Sequence, residues 1–390
     1  MTLRFLTAGE SHGKALTAIV EGIPAGLALS EDYIARDLRR RQGGRGRGGR
    51  QQIESDRAEI VSGVRHGLTL GSPITLVIAN RDWENWREVM TVAEPSGPVE
   101  PVTRLRPGHA DLPGVMKYAQ TDVRNVLERA SARETAVRVA VGAVARRFLE
   151  EFGVEVHSHT VAIGSIEAKA TGEPDWQAVE ESPLRCVDAD AERRMADAID
   201  AARTDGDSLG GVTQVRATGV PIGLGSHVQW DRRLSGLLAQ AVMSIPSVKG
   251  VETGEGFALA GMRGSESQDV ILPADEWAGR PWRRASNHAG GLEAGMTNGE
   301  PLVIRAALKP ISTLARPLPS ADLATGESVE AHYERSDVCI VPVAGVIAEA
   351  VVAIVLAGAM LDKFGGDHVD ETLRNYRAYV ETVGPHPAGG

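Results

Sequence analysis

Two histidines lie in segments that could bring an imidazole against a small ligand. His12 stands between two glycines in residues 8–13 (AGESHG), and His109 follows a glycine in residues 104–111 (RLRPGHAD). Glycine lets a ligand approach the backbone closely, and imidazole exchanges protons readily near neutral pH. Both histidines are therefore candidates for general acid–base chemistry, the alternative for each being a structural role. For Asp111 the local sequence offers only a role in turning the loop.

The strongest concentration of positive charge lies in residues 39–50 (RRRQGGRGRGGR). Guanidinium groups bind carboxylate and phosphate oxygens bidentately, which predicts a flexible clamp for a small anion. A solvated mobile loop and an RNA-binding arm remain open as alternatives. Gly44, Gly46 and Gly49 also match the glycine spacing of a dinucleotide fingerprint, but no strand is predicted before them, which argues against that function.

A carboxylate and a second histidine pair are weaker candidates. Asp337 precedes a long apolar segment, where it would either cap a helix or act as an acid or base. His157 and His159 alternate on a predicted strand, so both rings should face the same side. With no third ligand near them in the sequence, a metal site is not predicted.

Composition limits the classes of function. The net charge of −10 and an aromatic content of only 4 % argue against nucleic-acid binding. An RNA-binding protein would instead show salt-dependent binding that is lost on replacing Arg45, Arg47 and Arg50. Cys186 and Cys339 form neither a disulfide framework nor a metal motif, which is typical of a reducing compartment. No signal-like segment opens the chain, so we expect a cytoplasmic protein.

The hydrophobic periodicity predicts strands and helices without regular β–α–β alternation, which favours an α+β fold. The predicted strands are residues 3–7, 15–21, 59–64, 73–79, 156–163, 210–218 and 301–307, with a helix left open as the alternative for residues 15–21. The predicted helices are residues 31–41 (capped by Ser30), 131–152 (opened by a capping box of Ser131 and Glu134), 189–204, 234–245 and 346–364.

The last of these helices lies in an apolar stretch, residues 338–361, that is long enough to span a membrane. Pro342 near its start and Glu349 near its middle argue against insertion in lipid. We therefore predict a buried core helix ended by Gly365, and no membrane association. Residues 82–113 are predicted to be a loop.

Taken together, these segments resemble the chorismate synthase family in the same order over nearly the whole chain. The segments that carry the resemblance are residues 8–13, 39–50, 106–111, 128–135 (ERASARET), 207–211 (DSLGG), 249–252 (KGVE), 287–291 (NHAGG), 297–299 (TNG), 309–313 (KPIST) and 335–337 (RSD).

The resemblance implies a lyase of the shikimate pathway and hence of aromatic amino acid biosynthesis. The reaction would be the anti-1,4-elimination of phosphate from 5-enolpyruvylshikimate-3-phosphate to give chorismate. It also implies reduced FMN as cofactor, a homotetramer, and either NADPH or an external flavin reductase as the source of reducing equivalents; the absence of an inserted domain favours the external reductant. The implied fold is a single α+β domain over residues 1–390, with helices packed between antiparallel sheets. We expect a mobile loop at 42–51 and a disordered tail at 384–390.

Roles carried over by the resemblance are as follows. His12 would protonate the departing phosphate, His109 would act on the reduced flavin, and Asp337 would assist removal of the substrate proton. Substrate contacts would come from Ser11, Arg41, Arg47, Arg50, Arg106, Ser131, Arg133 and Arg335. Flavin contacts would come from Arg41, Arg47, His109, Arg129, Ala130, Ser131, Pro246, Ser247, Asn287, Ala294, Lys309, Pro310, Ile311, Ser312, Thr313 and Arg335.

Three positions depart from the family pattern. Ala294 stands where glycine is common, Ser235–Gly236 replaces a more usual Asp–Ala, and Gln51 stands where methionine is frequent. The competing enzyme class is a flavin- or nicotinamide-dependent oxidoreductase acting on an anionic substrate, which would transfer a hydride with net oxidation or reduction.

Overall fold

The computed structural model describes residues 3–47, 55–169, 172–273, 282–334 and 336–383. The strands are β1 (Arg4–Ala8), β2 (Ala15–Glu21), β3 (Glu59–Ser62), β4 (Val64–Arg65), β5 (Leu68–Thr69), β6 (Ile74–Ala79), β7 (Glu155–Ile163), β8 (Ile166–Glu167), β9 (Gly211–Thr218), β10 (Val248–Thr253), β11 (Ile271–Pro273), β12 (Trp282–Arg284), β13 (Leu292–Glu293), β14 (Met296–Thr297), β15 (Leu302–Leu308), β16 (Pro319–Ala321) and β17 (Ser328–Glu330). The α-helices are α1 (Glu31–Gln42), α2 (Trp83–Trp86), α3 (Asp111–Tyr118), α4 (Arg124–Leu127), α5 (Thr135–Glu150), α6 (Trp176–Glu181), α7 (Ala189–Thr204), α8 (Leu234–Met243), α9 (Gly264–Ser267), α10 (Val341–Phe364) and α11 (Val369–Thr382).

Two antiparallel sheets flank the helices. The smaller sheet has the strand order β1–β2–β6–β3, and the larger has the order β10–β15–β9–β7–β8. Strands β1 and β2 form the predicted hairpin, with Arg4 opposite Glu21 and Ala8 opposite Thr17. Their connecting loop therefore carries His12 at one end of the smaller sheet. Alternate side chains of β2 and β6 are buried, as expected for strands with one face on a core.

Long helices fill the space between the sheets. Helix α5 packs on β2 and β6 of the smaller sheet and on α10, while α10 packs on β7 and β9 of the larger sheet. Helices α1 and α8 lie against α5 and α10 respectively. A core cluster that runs from Leu16 to Val369 joins both sheets to these helices. The prediction of an α+β fold with helices between antiparallel sheets is confirmed.

Helix α10 is the buried core helix that its apolar sequence predicts. It is long and apolar enough to cross a membrane, but 83 % of its most apolar window is buried inside the described protein. A close contact with α5 explains part of this burial: a Cβ built on Gly142 would lie only 2.3 Å from the Cβ of Ala350. Pro342 does not break the helix, because it occupies the first turn, where a missing N–H costs nothing. The helix ends at Gly365, as expected.

Glu349, in the middle of α10, is a fully buried carboxylate. Its oxygens lie 2.7 Å from Nη2 of Arg40, 2.7 Å from Nη2 of Arg146 and 3.1 Å from Nη2 of Arg185, and Ser158 Oγ donates to it at 2.6 Å. Burial alone would raise the pKa of Glu349, but these arginines outweigh it and lower the pKa to about 2. The cluster ties α1, α5, β7 and the segment after α6 to α10.

Two predictions about the region before α5 were wrong in detail. Ser131 does not form a capping box, because its Oγ accepts from the backbone N–H of Arg133 and the Glu134 carboxylate pairs with Arg138. A short 3₁₀ turn follows Ser131, and α5 begins at Thr135. Residues 82–113 also hold more structure than a loop, since α2 and the start of α3 lie there.

Replacing Glu349 by glutamine should lower the free energy of unfolding by about 3–5 kcal/mol. It leaves the three arginines with only two carboxylates, Asp37 and Glu180, to balance them. Equilibrium urea unfolding of the wild type and E349Q measures the effect. The matched control is D362N on the exposed side of the same helix, which should change stability by less than about 0.5 kcal/mol. Equal effects of E349Q and D362N would contradict the role of the buried cluster.

The contribution of Glu349 to stability should also depend on pH. Because its folded-state pKa of about 2 lies below the ordinary value of 4.5, the stabilisation is complete above that ordinary value and is lost as the pH falls towards 2. The difference in unfolding free energy between wild type and E349Q, followed from neutral into acidic solution, should be constant at first and then shrink. A difference that persists unchanged to the acid limit of folding would refute this.

Candidate active site

A cavity of about 640 Å³ lies where the β1–β2 loop, the C-terminal end of α1 and the N-terminal ends of α5 and α10 meet. It brings together most of the site residues expected from the sequence. Those that line it are Ser11, His12, Arg41, Arg47, Arg106, His109, Ala130, Ser131, Arg133, Pro246, Ser247, Lys309, Ile311, Ser312, Thr313 and Asp337.

His12 is held on the cavity wall by a buried carboxylate. Its Nδ1 lies 2.9 Å from Oε1 of Glu128, and its backbone N–H donates to Oε2 at 2.8 Å. Glu128 also accepts from Arg124 at 2.8 Å. Burial would raise the pKa of Glu128, but the His12 contacts and the Arg124 charge hold it below its ordinary value. An ionised Glu128 fixes the proton of His12 on Nδ1 and leaves Nε2 as the nitrogen able to accept or deliver a proton.

Trp86 covers one face of the His12 ring. The two rings stack with their centroids 3.9 Å apart and their planes 26° apart. The Arg124 guanidinium lies 5.0 Å from the centre of the Trp86 ring, and the indole N–H donates to Asp82 at 3.1 Å. The His12 imidazole is therefore fixed both in its plane, by Glu128, and across its face, by Trp86.

His109 has the same arrangement with different residues. Its Nδ1 lies 2.5 Å from Oδ1 of Asp111, which is fully buried. Arg106 binds both oxygens of Asp111, at 2.9 Å and 3.0 Å. Burial would raise the pKa of Asp111, but hydrogen bonds from His109 and Arg106 lower it to about 2. Asp111 thus does more than turn the loop: it is the anionic partner that orients the imidazole.

Arg41 and Arg133 share a third buried carboxylate. Asp56 accepts from Arg133 Nη1 at 2.6 Å and lies 3.3 Å from Arg41 Nη1. Arg133 is also held by Asn80 Oδ1, at 2.9 Å and 3.0 Å, and Arg41 by Thr135 Oγ1 at 3.0 Å. Burial, reinforced by the neighbouring guanidinium charges, lowers the pKa of Arg41. Both cations are therefore fixed in place before any ligand binds.

Arg47 and Asp337 form an ion pair at the cavity wall, with Arg47 Nη1 2.8 Å from Asp337 Oδ2. Asp337 is not a helix cap, because α10 is capped at Ile340. The backbone carbonyl of Gly46 accepts from Val338 N–H at 2.8 Å, which holds the end of the arginine loop against the segment before α10. Within the described residues, Nε of Arg47 is buried without a hydrogen-bond partner, so it is free to bind a ligand atom.

The segment at 309–313 forms another part of the wall. Lys309 Nζ donates to Ser312 Oγ at 2.8 Å, and Ser312 Oγ donates to the carbonyl of Gly108, next to His109, at 3.0 Å. Burial and the nearby charge of Lys249 lower the pKa of Lys309. The predicted binding segment is thereby joined to the His109 loop.

Some expected site residues lie elsewhere. Pro310, Arg129, Asn287 and Ala294 are absent from the cavity wall in the part of the chain that the structure describes. Arg129 instead supports the His12 loop from outside, donating to the carbonyls of Thr7 and Gly9. Asn287 holds its own loop through Gly291 N–H and Pro301 O, and Ala294 has φ +49° in a hairpin turn. Arg50 and Arg335 lie outside the described residues, as do residues 48–51 of the arginine loop and the tail at 384–390.

The structure gives site roles to residues for which the sequence analysis proposed none. Trp86, Lys249 and Glu334 line the cavity, and Glu128, Asp111 and Asp56 stand behind its cations. A signal existed for Glu128, which opens the motif at residues 128–135. His157 and His159 share one sheet face, as predicted, and contact Trp176. Within the described residues, no group of three or more His, Cys, Asp or Glu side chains is arranged to hold a metal ion.

The charge of the cavity selects its ligand. The described lining contains six Arg or Lys residues against three Asp or Glu residues, in a chain whose net charge is −10. Such a local excess of fixed cations attracts and orients a small polyanion. With two carboxylate-anchored imidazoles among its lining residues, the cavity is of the kind that enzymes use for acid–base chemistry on a small anion.

Comparisons with known proteins agree with this class and narrow it. The family model for chorismate synthase matches residues 3–361. The chain is 57 % identical over 387 residues to the chorismate synthase of Moorella thermoacetica, covering 98 % of this chain and 100 % of that protein. It is also 57 % identical over 392 residues to that of Desulforudis audaxviator, covering 100 % of both. A crystal structure of a chorismate synthase superposes with a TM-score of 0.78 at 44 % identity, covering 98 % of each chain.

The chain belongs to the chorismate synthase family. The predictions of a phosphate-eliminating lyase and of a shikimate-pathway enzyme are thereby confirmed.

Replacing either cavity histidine by alanine should slow turnover roughly tenfold or more, because each variant lacks a positioned proton donor or acceptor. Steady-state turnover of H12A and H109A measures the loss, and circular dichroism should show an intact fold, since both residues lie on the cavity wall rather than in the core. The matched control is H227A, an exposed histidine, which should turn over like the wild type. Wild-type turnover in H12A or H109A would refute the role of that histidine.

Proposed function

We propose that this chain converts 5-enolpyruvylshikimate-3-phosphate to chorismate by anti-1,4-elimination of phosphate in the cavity described above. The observation that carries the proposal is the joint placement of two carboxylate-anchored imidazoles and an excess of fixed arginines in one cavity. Its volume of about 640 Å³ lies within the usual range for small-molecule sites.

The substrate has two carboxylates and a phosphate, and the cavity offers cations for all three. Arg41 and Arg133 are held in one orientation by Asp56, Arg106 by Asp111, and Arg47 by Asp337. Preorganised donors of this kind lose little freedom when the ligand binds. We propose that Arg50 and Arg335 join them, together with the hydroxyls of Ser11 and Ser131, which lie 3.2 Å apart.

The elimination needs a proton at the departing phosphate and a base for the proton removed from the ring. We propose that His12 delivers the first from Nε2, because Glu128 occupies its Nδ1. We propose that Asp337 assists removal of the second, with Arg47 balancing its charge. His109, held by Asp111, also lines the cavity, and we propose that it acts on the reduced flavin, as the resemblance implies.

The wall also suits the reduced FMN that the family implies. It combines the apolar side chains of Ile340 before α10 and of Val343 and Ile347 in α10 with the donors of residues 309–313 and the unpartnered Nε of Arg47. This mixture suits a flat ring system that carries a phosphate. We propose that Arg41, Arg47, His109, Ala130, Ser131, Pro246, Ser247, Lys309, Ile311, Ser312 and Thr313 hold it from the wall, and that Arg129, Asn287, Ala294, Pro310 and Arg335 contribute from its surroundings. When bound, reduced flavin would supply reducing chemistry that is recovered within each turnover, since the overall reaction is redox-neutral.

We also propose a cellular location, an oligomeric state and a source of reducing equivalents for this enzyme. We place it in the cytoplasm as a single-domain chain that assembles into a homotetramer. Its flavin would be reduced by NADPH or by an external flavin reductase, and its buried cysteines, Cys186 and Cys339, carry no disulfide.

The experiment that tests the function is anaerobic incubation of the protein with chemically reduced FMN and 5-enolpyruvylshikimate-3-phosphate. We expect phosphate and chorismate in equal amounts, with no net oxidation of the flavin. Flavin oxidation in proportion to substrate consumed would instead indicate an oxidoreductase. No release of phosphate by folded protein would overturn the proposal, and binding of RNA that weakens with salt would favour the arginine–glycine loop as a nucleic-acid arm.

A further inference from the structure

The two imidazole–carboxylate pairs of the cavity are not isolated from one another. Behind His109, Asp111 binds Arg106 through two hydrogen bonds. Behind His12, Glu128 accepts from Arg124. Each pair therefore ends in a largely buried arginine, with side-chain exposures of 6 % and 13 %. Both arginines face the same additional carboxylate.

That carboxylate is Glu334, on the cavity wall before α10. Its Oε2 lies 3.9 Å from Nη1 of Arg106, and its Oε1 lies 3.7 Å from Nη1 of Arg124. Among the described residues, His332 also faces it, with its Nε2 3.5 Å from Oε1. Burial would raise the pKa of Glu334, but His332 and the two arginines hold it below its ordinary value, so it is an anion at neutral pH.

The contacts form one chain of alternating charge between the catalytic imidazoles. In order, its members are His109, Asp111, Arg106, Glu334, Arg124, Glu128 and His12. We infer that Glu334 is a positioning residue that joins the two histidine pairs, so that it sets their relative placement and stabilises the protonated form of both imidazoles. This inference rests on the proposed function for its kinetic consequences, but not for its structural ones.

Glu334 is an unusual choice for a cavity that binds a polyanion. A carboxylate there repels the substrate, so it would weaken binding if it had no other role. The presence of Glu334 among these cations is explained if its negative charge acts on His12 and His109 rather than on the ligand. The role of Glu334 therefore differs from that of the arginines. Losing an arginine should raise KM, whereas losing the charge of Glu334 should leave KM unchanged or lower it.

The first test needs no substrate. Selectively ¹⁵N-histidine-labelled, ligand-free protein is titrated, and the ring signals of His12 and His109, assigned by the H12A and H109A variants, are followed with pH. In E334Q both midpoints should move to lower pH by about half a unit, because removing a nearby negative charge makes a retained proton less stable. In E334D, which keeps the charge, both should stay close to the wild type.

The second test uses turnover. E334Q should lower kcat by roughly three- to thirtyfold, with KM unchanged or lower, and should move the alkaline limb of the pH–rate profile to lower pH. The matched control is E330Q, which changes an exposed carboxylate on β17 and should alter neither kcat nor the histidine titrations. Circular dichroism verifies that each variant is folded.

The outcomes of these tests distinguish a failure of the role of Glu334 from a failure of the proposed function. If neither midpoint or only one moves in E334Q, Glu334 does not join the two pairs and the inference is overturned. If KM rises while kcat holds, Glu334 is a binding residue and the inference is equally overturned. If both midpoints move but wild-type protein releases no phosphate, the inference about Glu334 stands and the proposed function fails.

Discussion

The carboxylate of Glu349 is buried from solvent and stays ionised because arginines from three other parts of the chain reach it. Arg40 comes from the end of α1, Arg146 from α5 and Arg185 from the segment after α6. One buried carboxylate joins all three arginines, so these elements are held at fixed distances from α10. The C-terminal end of α1 and the N-terminal ends of α5 and α10 also meet at the cavity. The Glu349 cluster therefore determines the geometry of the candidate active site.

Local patterns predicted much of the framework. The polar helix over Ala189–Thr204 was predicted with its observed bounds, and Ser30 caps α1 as expected. Strands with alternating apolar residues were found to within about one or two residues. Errors fell where tertiary context decides. Helix α10 begins at Val341 rather than at residue 346, with Pro342 in its first turn, and Ser131 was assigned a capping box that the 3₁₀ turn after it prevents.

The site was predicted less completely, for a physical reason. Flanking glycines mark His12 and His109 locally, but the groups that orient an imidazole come from distant parts of the chain. Glu128 lies 116 residues from His12, and Trp86 reaches the same ring from the short helix α2. Asp111 lies only two residues from His109, but the sequence of this loop-like segment does not predict that Asp111 is buried beneath Arg106. The family resemblance implied roles for the site residues, whereas the groups that orient them became apparent only in the structure.

The alternating chain from His109 to His12 has an evolutionary consequence. Each of the five inner members is balanced by the neighbours on either side, so a substitution that removes one of their charges leaves two others unbalanced in a poorly hydrated space. Single changes at Arg106, Arg124 or Glu334 should therefore be strongly epistatic, harmful alone and tolerated only alongside a compensating change next along the chain. Sequence drift around the cavity would then proceed by linked replacements, which restricts the paths open to a lineage that evolves resistance to an inhibitor bound there.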